Sequence, residues 1–259
     1  MPGVVSIDRV PVRVRRITLE HPWQWLSAGW ADMLAAPGVS LAYGGVFAAI
    51  GVLLLFGLEM VEAGYLILPL GLGFAIVAPA AAVGLYETSR RLSQGEPASL
   101  MAALTAMRRN PSQIGLVGAF LVIIFLAWTR LAILEFMLFF GGAPPALDGV
   151  ISAILLSDRG FSFLVVGTLT GAAMAAVVFA MTAVAVPMLV DRKVDAVTAM
   201  LTSVEAVRHN PRPMLLWAFL IGLFTLFGVG LFLVGLVFTL PLIGHASWYA
   251  YRDLIDPGT

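Results

Sequence analysis

The chain has 259 residues, of which 60% are hydrophobic and only 12% charged, with zero formal net charge and no cysteine. A soluble domain carries about 25% charged residues, so too few polar groups remain here to wet a globule, and lipid has to serve as solvent. The composition excludes disulfides, thiolate metal sites and cysteine nucleophiles, and gives no overall field that would hold nucleic acid.

Residues 1–22 read as a basic cytoplasmic tail carrying Arg9, Arg13, Arg15 and Arg16. The first apolar run begins near Val39, too deep for a signal peptide of about 15–30 residues, and reads as a retained span. A spanning helix needs about 20 mostly apolar residues. Such stretches run from Val39 to Leu58, Gly64 to Tyr86, Ile114 to about Leu134, and Phe161 to Val190. A fifth runs from Met214 to Tyr251 without a polar loop. At ~1.5 Å per residue it is too long to cross a ~30 Å core once, so it reads as two spans, with Gly228, Gly230 and Gly235 supplying the turn. Residues 255–259 form a short tail.

Basic residues set the orientation. Arg90, Arg91, Arg108 and Arg109 follow span two, and Arg192, Lys193, Arg208 and Arg212 follow span four; Arg252 lies near the C-terminus. The alternate connections hold Glu59 and Glu62, or Asp148, Asp158 and Arg159, or no charge at all. Both ends are therefore expected in the cytoplasm.

The chain also repeats. Arg108-Arg109-Asn110-Pro111 recurs 100 residues later as Arg208-His209-Asn210-Pro211, and Leu26, Trp30, Met33 and Pro37 match Leu100, Leu104, Met107 and Pro111 at a shift of 74. Each copy is a short amphipathic stretch ended by a proline that suits the first turn of the next helix. The fold expected is an all-α membrane protein of six transmembrane helices in three hairpins. A short cytoplasmic amphipathic helix precedes each hairpin, giving a three-fold repeat in one domain over 23–254, with units at about 23–86, 96–189 and 195–254. Pro37, Pro111 and Pro211 mark the bends. The short helices are expected in the membrane interface, apolar face down.

Further into the chain the residues look familiar. Ala127-Trp128-Thr129-Arg130-Leu131-Ala132 is followed by Phe139-Phe140-Gly141. Val186-Pro187-Met188-Leu189-Val190-Asp191-Arg192 leads into Asp195-Ala196-Val197-Thr198-Ala199-Met200. The last such run is Leu240 to Arg252, with Pro241, Gly244, His245 and Trp248. Over roughly residues 12–255 the chain resembles the proteobacterial predicted integral membrane proteins of domain of unknown function 2189. That resemblance implies a bacterial inner membrane and little about activity.

Candidate residues are few. Arg130 and Glu135 lie late in span three, either as an interfacial anchor or as an ion pair fixing helices or a partner subunit. His245 is the single histidine in an expected span; with no second one at similar depth it reads as a buried, hydrogen-bonded residue and not a haem ligand. Trp248, Tyr249 and Tyr251, like Trp23, Trp25 and Trp30, suit an inner aromatic belt. Gly167 and Gly171 form a small-xxx-small pair suited to close packing within the chain. No phosphate loop, metalloprotease, nucleophile-elbow or dinucleotide motif occurs, and neither cofactor nor metal is expected. The expected function is thus a non-catalytic accessory, assembly or stabilising subunit of a larger membrane complex, with respiratory or photosynthetic complexes as conceivable hosts. Its partners are membrane lipids and other integral membrane subunits, with no nucleic acid. The alternative is a transporter or channel for a small or lipophilic substrate, not proton-coupled.

Overall fold

The computed structural model describes residues 12–61, 63, 66–141 and 158–256. Arg9, Glu62, Gly64 and Asp148, on which parts of the sequence reading rest, lie outside them. The helices, in order, are α1 (His21–Ala35), α2 (Pro37–Met60), α3 (Ile67–Ala81), α4 (Val83–Ser93), α5 (Leu100–Thr105), α6 (Pro111–Phe140), α7 (Asp158–Thr182), α8 (Ala185–Asp191), α9 (Ala196–His209), α10 (Pro211–Gly230) and α11 (Leu236–Leu254). A 3₁₀ turn, Ala106–Arg109, joins α5 to α6.

Among the described residues, four helical segments are long and apolar enough to cross a membrane: Pro37–Met60, Pro111–Phe140, Arg159–Asp191 and Pro211–Gly230. The chain is thus a multi-pass helical membrane protein. The other two expected spans differ for visible reasons. The second is interrupted at Ala82, which divides it into α3 and α4. The sixth is α11, whose 19 residues include Thr239, Pro241, His245, Ser247, Arg252 and Asp253.

Pro37, Pro111 and Pro211 each open a long helix at its first turn. There the missing N–H costs nothing, since the first four amides of a helix lack intrahelical acceptors. The residues before two of these prolines clamp other segments. Asn210 is buried; its amide oxygen accepts from Ile17 N at 2.9 Å, and its nitrogen donates to Arg15 O and Ala206 O at 2.9 and 3.1 Å. Asn110 donates to Val194 O at 3.1 Å, and Gln113 accepts from Ala196 N at 2.9 Å.

The three bends, the short helices and both described chain ends gather at one end of the bundle, its base. The segments beside the two tails are paired there. Val14 bridges Ile255 antiparallel, Arg15 N donates to Leu254 O, and the Arg15 guanidinium meets Asp256 at 2.8 Å. The core sits in this base, where α4, α8 and α11 converge. All of Val83–Arg90 and Ala185–Val190 is buried, as are Gly244–Trp248. Glycines permit the close crossings: a Cβ on Gly29 would lie 2.7 Å from Ala246 N and 2.9 Å from Leu242 O, while one on Gly44 would strike the Val237 backbone.

The short helices present two different faces to their surroundings. Apart from Trp25 and Met33 on α1, they press mainly small or polar residues inward: Gly29 and Asp32 on α1, Ala103 on α5, and Ala199, Thr202, Ser203 and Ala206 on α9. Most of their other large apolar residues point out, with Trp23, Trp30, Leu34, Met101, Leu104, Val197 and Leu201 all exposed. Close approach to the bundle needs small side chains, so bulk is left for the membrane interface.

Candidate functional site

The densest set of buried polar groups lies in the base, between α1, α2, α4 and α11. His245 is fully buried and bridges two hydroxyls: Nε2 is 2.9 Å from Ser40 Oγ and Nδ1 is 2.7 Å from Ser89 Oγ. Ser40 donates to the Ala36 carbonyl at 2.9 Å. Its single hydrogen is thereby used, so Ser40 accepts from Nε2–H, leaving Nδ1 to accept from Ser89. The sequence pointed to a buried, hydrogen-bonded histidine; its partners are two side chains from distant helices and not a neighbouring backbone group. One turn before the bend, Asp32 accepts from the Tyr249 hydroxyl at 2.9 Å through Oδ1. Its Oδ2 is buried without a hydrogen-bond partner, although Ser89 lies near enough to favour the charged form. Burial outweighs both contacts and raises the Asp32 pKa above the ordinary carboxylate value.

Two charged networks flank this cluster. Glu87, itself buried, takes a two-pronged contact from Arg90 at 2.8 and 2.9 Å and faces Arg109 at 3.5 Å. Arg90 also bonds Gln94, and Arg109 donates to Val190 O at 2.7 Å, tying α4 to α8. On the other flank Tyr251 donates to Asp191 at 2.6 Å and accepts from Arg192 at 2.9 Å; Arg192 then donates to Asp256 O at 2.8 Å. A two-pronged arginine–carboxylate contact fixes geometry as well as charge. These groups brace one another across segments far apart in sequence.

The aromatic belt is corrected here. Trp25, Trp248 and Tyr251 are core residues, at most 1% exposed. Trp25 donates to Asp253 at 2.7 Å and meets Trp217 edge-on with centroids 5.4 Å apart. Trp23 and Trp30 do face outward.

Arg130 and Glu135 do not pair with each other. Five residues separate them on α6, about 140° around the helix at 100° per residue, so Arg130 is exposed while Glu135 is buried. Neither has an ion-pair partner among the described residues. Glu135 faces α7, where a Cβ on Gly167 would lie 3.5 Å from its Oε2; one on Gly171 would lie 3.2 Å from the Trp128 ring. The two glycines thus admit α6 side chains of the same chain. The hairpin glycines are corrected too: the left-handed residues of the α10–α11 turn are Phe232 and Leu233, whereas Gly228 and Gly235 pack against each other. The asparagine clamps and the hydroxyl pair around His245 were missed. The repeated Asn-Pro step was the one signal that could have pointed to the clamps.

A multi-pass helical membrane protein with its polar side chains locked at one end is the class this architecture defines. Residues 67–191, just under half of the chain, match the family described as predicted integral membrane protein (DUF2189). The matched region runs from α3 through α8, taking in Glu87, Arg90, Asn110 and α6, and is shorter than the resemblance read from the sequence. No curated protein and no solved structure matches the chain.

Proposed function

We propose that the chain is a non-catalytic accessory or stabilising subunit of a larger membrane complex, built of repeated hairpin units in a bacterial inner membrane. Its base would face the cytoplasm. The observation that carries this reading is Arg130. It is exposed on α6, a helix whose most apolar window is only 17% buried. An arginine exposed on a spanning helix has to reach headgroups or an acid, and a carboxylate on a neighbouring subunit would supply a two-pronged partner. Most polar groups of the base are already engaged with one another, which suits a structural role better than a catalytic one. The orientation rests on the arginines gathered at the base and on the contact between Val14 and Ile255, which requires an even number of crossings.

The test is purification from the native membrane in a gentle detergent, with mass spectrometry of what accompanies the chain, for the parent and Arg130→Gln. A stoichiometric partner that is weakened by the substitution and cross-links to position 130 supports the reading. Recovery of the chain alone, in both forms, overturns it.

A further inference from the structure

The third hairpin differs from the other two in height. Register marks along α2 give the scale. Ser40 on α2 faces His245 on α11, and eleven residues further up Gly51 lies against Leu233 in the α10–α11 turn. At 1.5 Å per residue the turn stands about 16 Å above Ser40, whereas α2 continues to Met60, about 30 Å above it. From His245 back to Leu236, α11 rises only about 13 Å. The length of α10 does not alter this, because α10 starts low: Trp217, six residues past Pro211, still packs on Trp25 at the level of α1 and Asp253.

The chemistry of the turn agrees. From Leu226 to Phe238 there is no polar side chain, whereas Glu59 and Glu62 lie at and just after the end of α2, and Asp148 and Asp158 lie before and at the start of α7. A turn in water or among headgroups has no reason to be wholly apolar. A turn in hydrocarbon must satisfy its own backbone. This one largely does: the N–H groups of Leu231, Leu233, Val234, Leu236, Val237, Phe238 and Thr239 all donate within the hairpin. Phe232 and Leu233 take up left-handed backbone to close it, at φ of 52° and 65°.

We propose that α10 and α11 form a re-entrant hairpin that enters from the base, turns near the middle of the bilayer and returns. Its tip, led by the exposed Phe232 and Val234, is covered by the acyl chains of the opposite leaflet. That surface offers no polar group to a protein partner, and lipid tails ask for none. The inference does not depend on the accessory-subunit reading or on which compartment the base faces.

The natural absence of cysteine makes the test direct. Phe232→Cys and Met60→Cys, both at highly exposed positions, are each labelled with a small fluorophore in nanodiscs. Quenching is then compared between lipids carrying a quencher at the headgroup and at the end of the acyl chain. The account expects position 232 to be quenched several-fold more strongly by the chain-end quencher, and position 60 to show the reverse. Stronger headgroup quenching at position 232, matching position 60, would show a full crossing and overturn the proposal. A depth reading needs no intact partner complex, so it is independent of the purification test.

Discussion

The base and the far half of the molecule are stabilised in different ways. In the base, α4 and α8 bury nearly every side chain they have, and charges are held by named partners. In the far half, α6 leaves Leu126, Leu134, Met137 and Leu138 exposed, and α2 does the same with Leu53, Phe56 and Met60. The difference teaches that one chain uses two solvents. The base is packed like a water-soluble core, where burial and satisfied hydrogen bonds supply stability. The far half has no such drive between its helices, because lipid tails are as apolar as leucine.

Substitutions can break or sharpen this contrast. The largest effect is expected from Gly29→Val, whose side chain would strike the α11 backbone at Ala246 and Leu242. Overpacking of this kind costs about 3 kcal/mol, and the thermal midpoint in detergent should fall by many degrees. Gly118→Val on α6 meets nothing within 4 Å and should leave the midpoint nearly unchanged. Next comes Asn210→Ala, which removes the acceptor for Ile17 N and the donor to Arg15 O and Ala206 O. A loss of about 1–3 kcal/mol is expected. Faster hydrogen exchange should appear in residues 12–20 and not in α6 or α7.

A smaller effect concerns Asp32. Its folded-state pKa is raised above the unfolded value near 3.8, so the folded state holds the proton more tightly. Stability contributed by this group is full below pH 3.8 and falls as pH rises through the raised folded value. Asp32→Asn should flatten that part of the pH–stability curve and be no less stable than the parent at neutral pH. A parent whose stability climbs across the same window would contradict the assignment. The smallest change is expected for Leu138→Ala, on an exposed position of α6: within about 0.5 kcal/mol in a bilayer.

Much of the far half was legible in the sequence, because a membrane span is specified by a long run of apolar residues and little else. The prolines at 37, 111 and 211 likewise announced helix starts through a local rule. The base was harder to read. That Trp25 would contact Trp217 and Asp253, or that His245 would join Ser40 to Ser89, depends on contacts more than 150 residues apart in sequence. Leu201 and Ala199 show the same limit on one helix. Amphipathicity suggested an apolar face for the membrane interface, but did not show that the opposite, small-residue face would pack into the bundle. The height of the third hairpin was hidden for another reason: hydropathy measures length along the chain and says nothing of where a helix begins.

The central claim, a self-supporting base beneath a lipid-supported far half, is tested most directly by electron-resonance distance measurements between paired spin labels. One pair spans the base at Ser27 and Lys193, and the other spans the far half at Met60 and Leu138. The account predicts a narrow distance distribution for the base that is the same in micelles and nanodiscs. For the far pair it predicts a broad distribution in micelles that narrows in the bilayer. Equal widths for both pairs in both environments would contradict it.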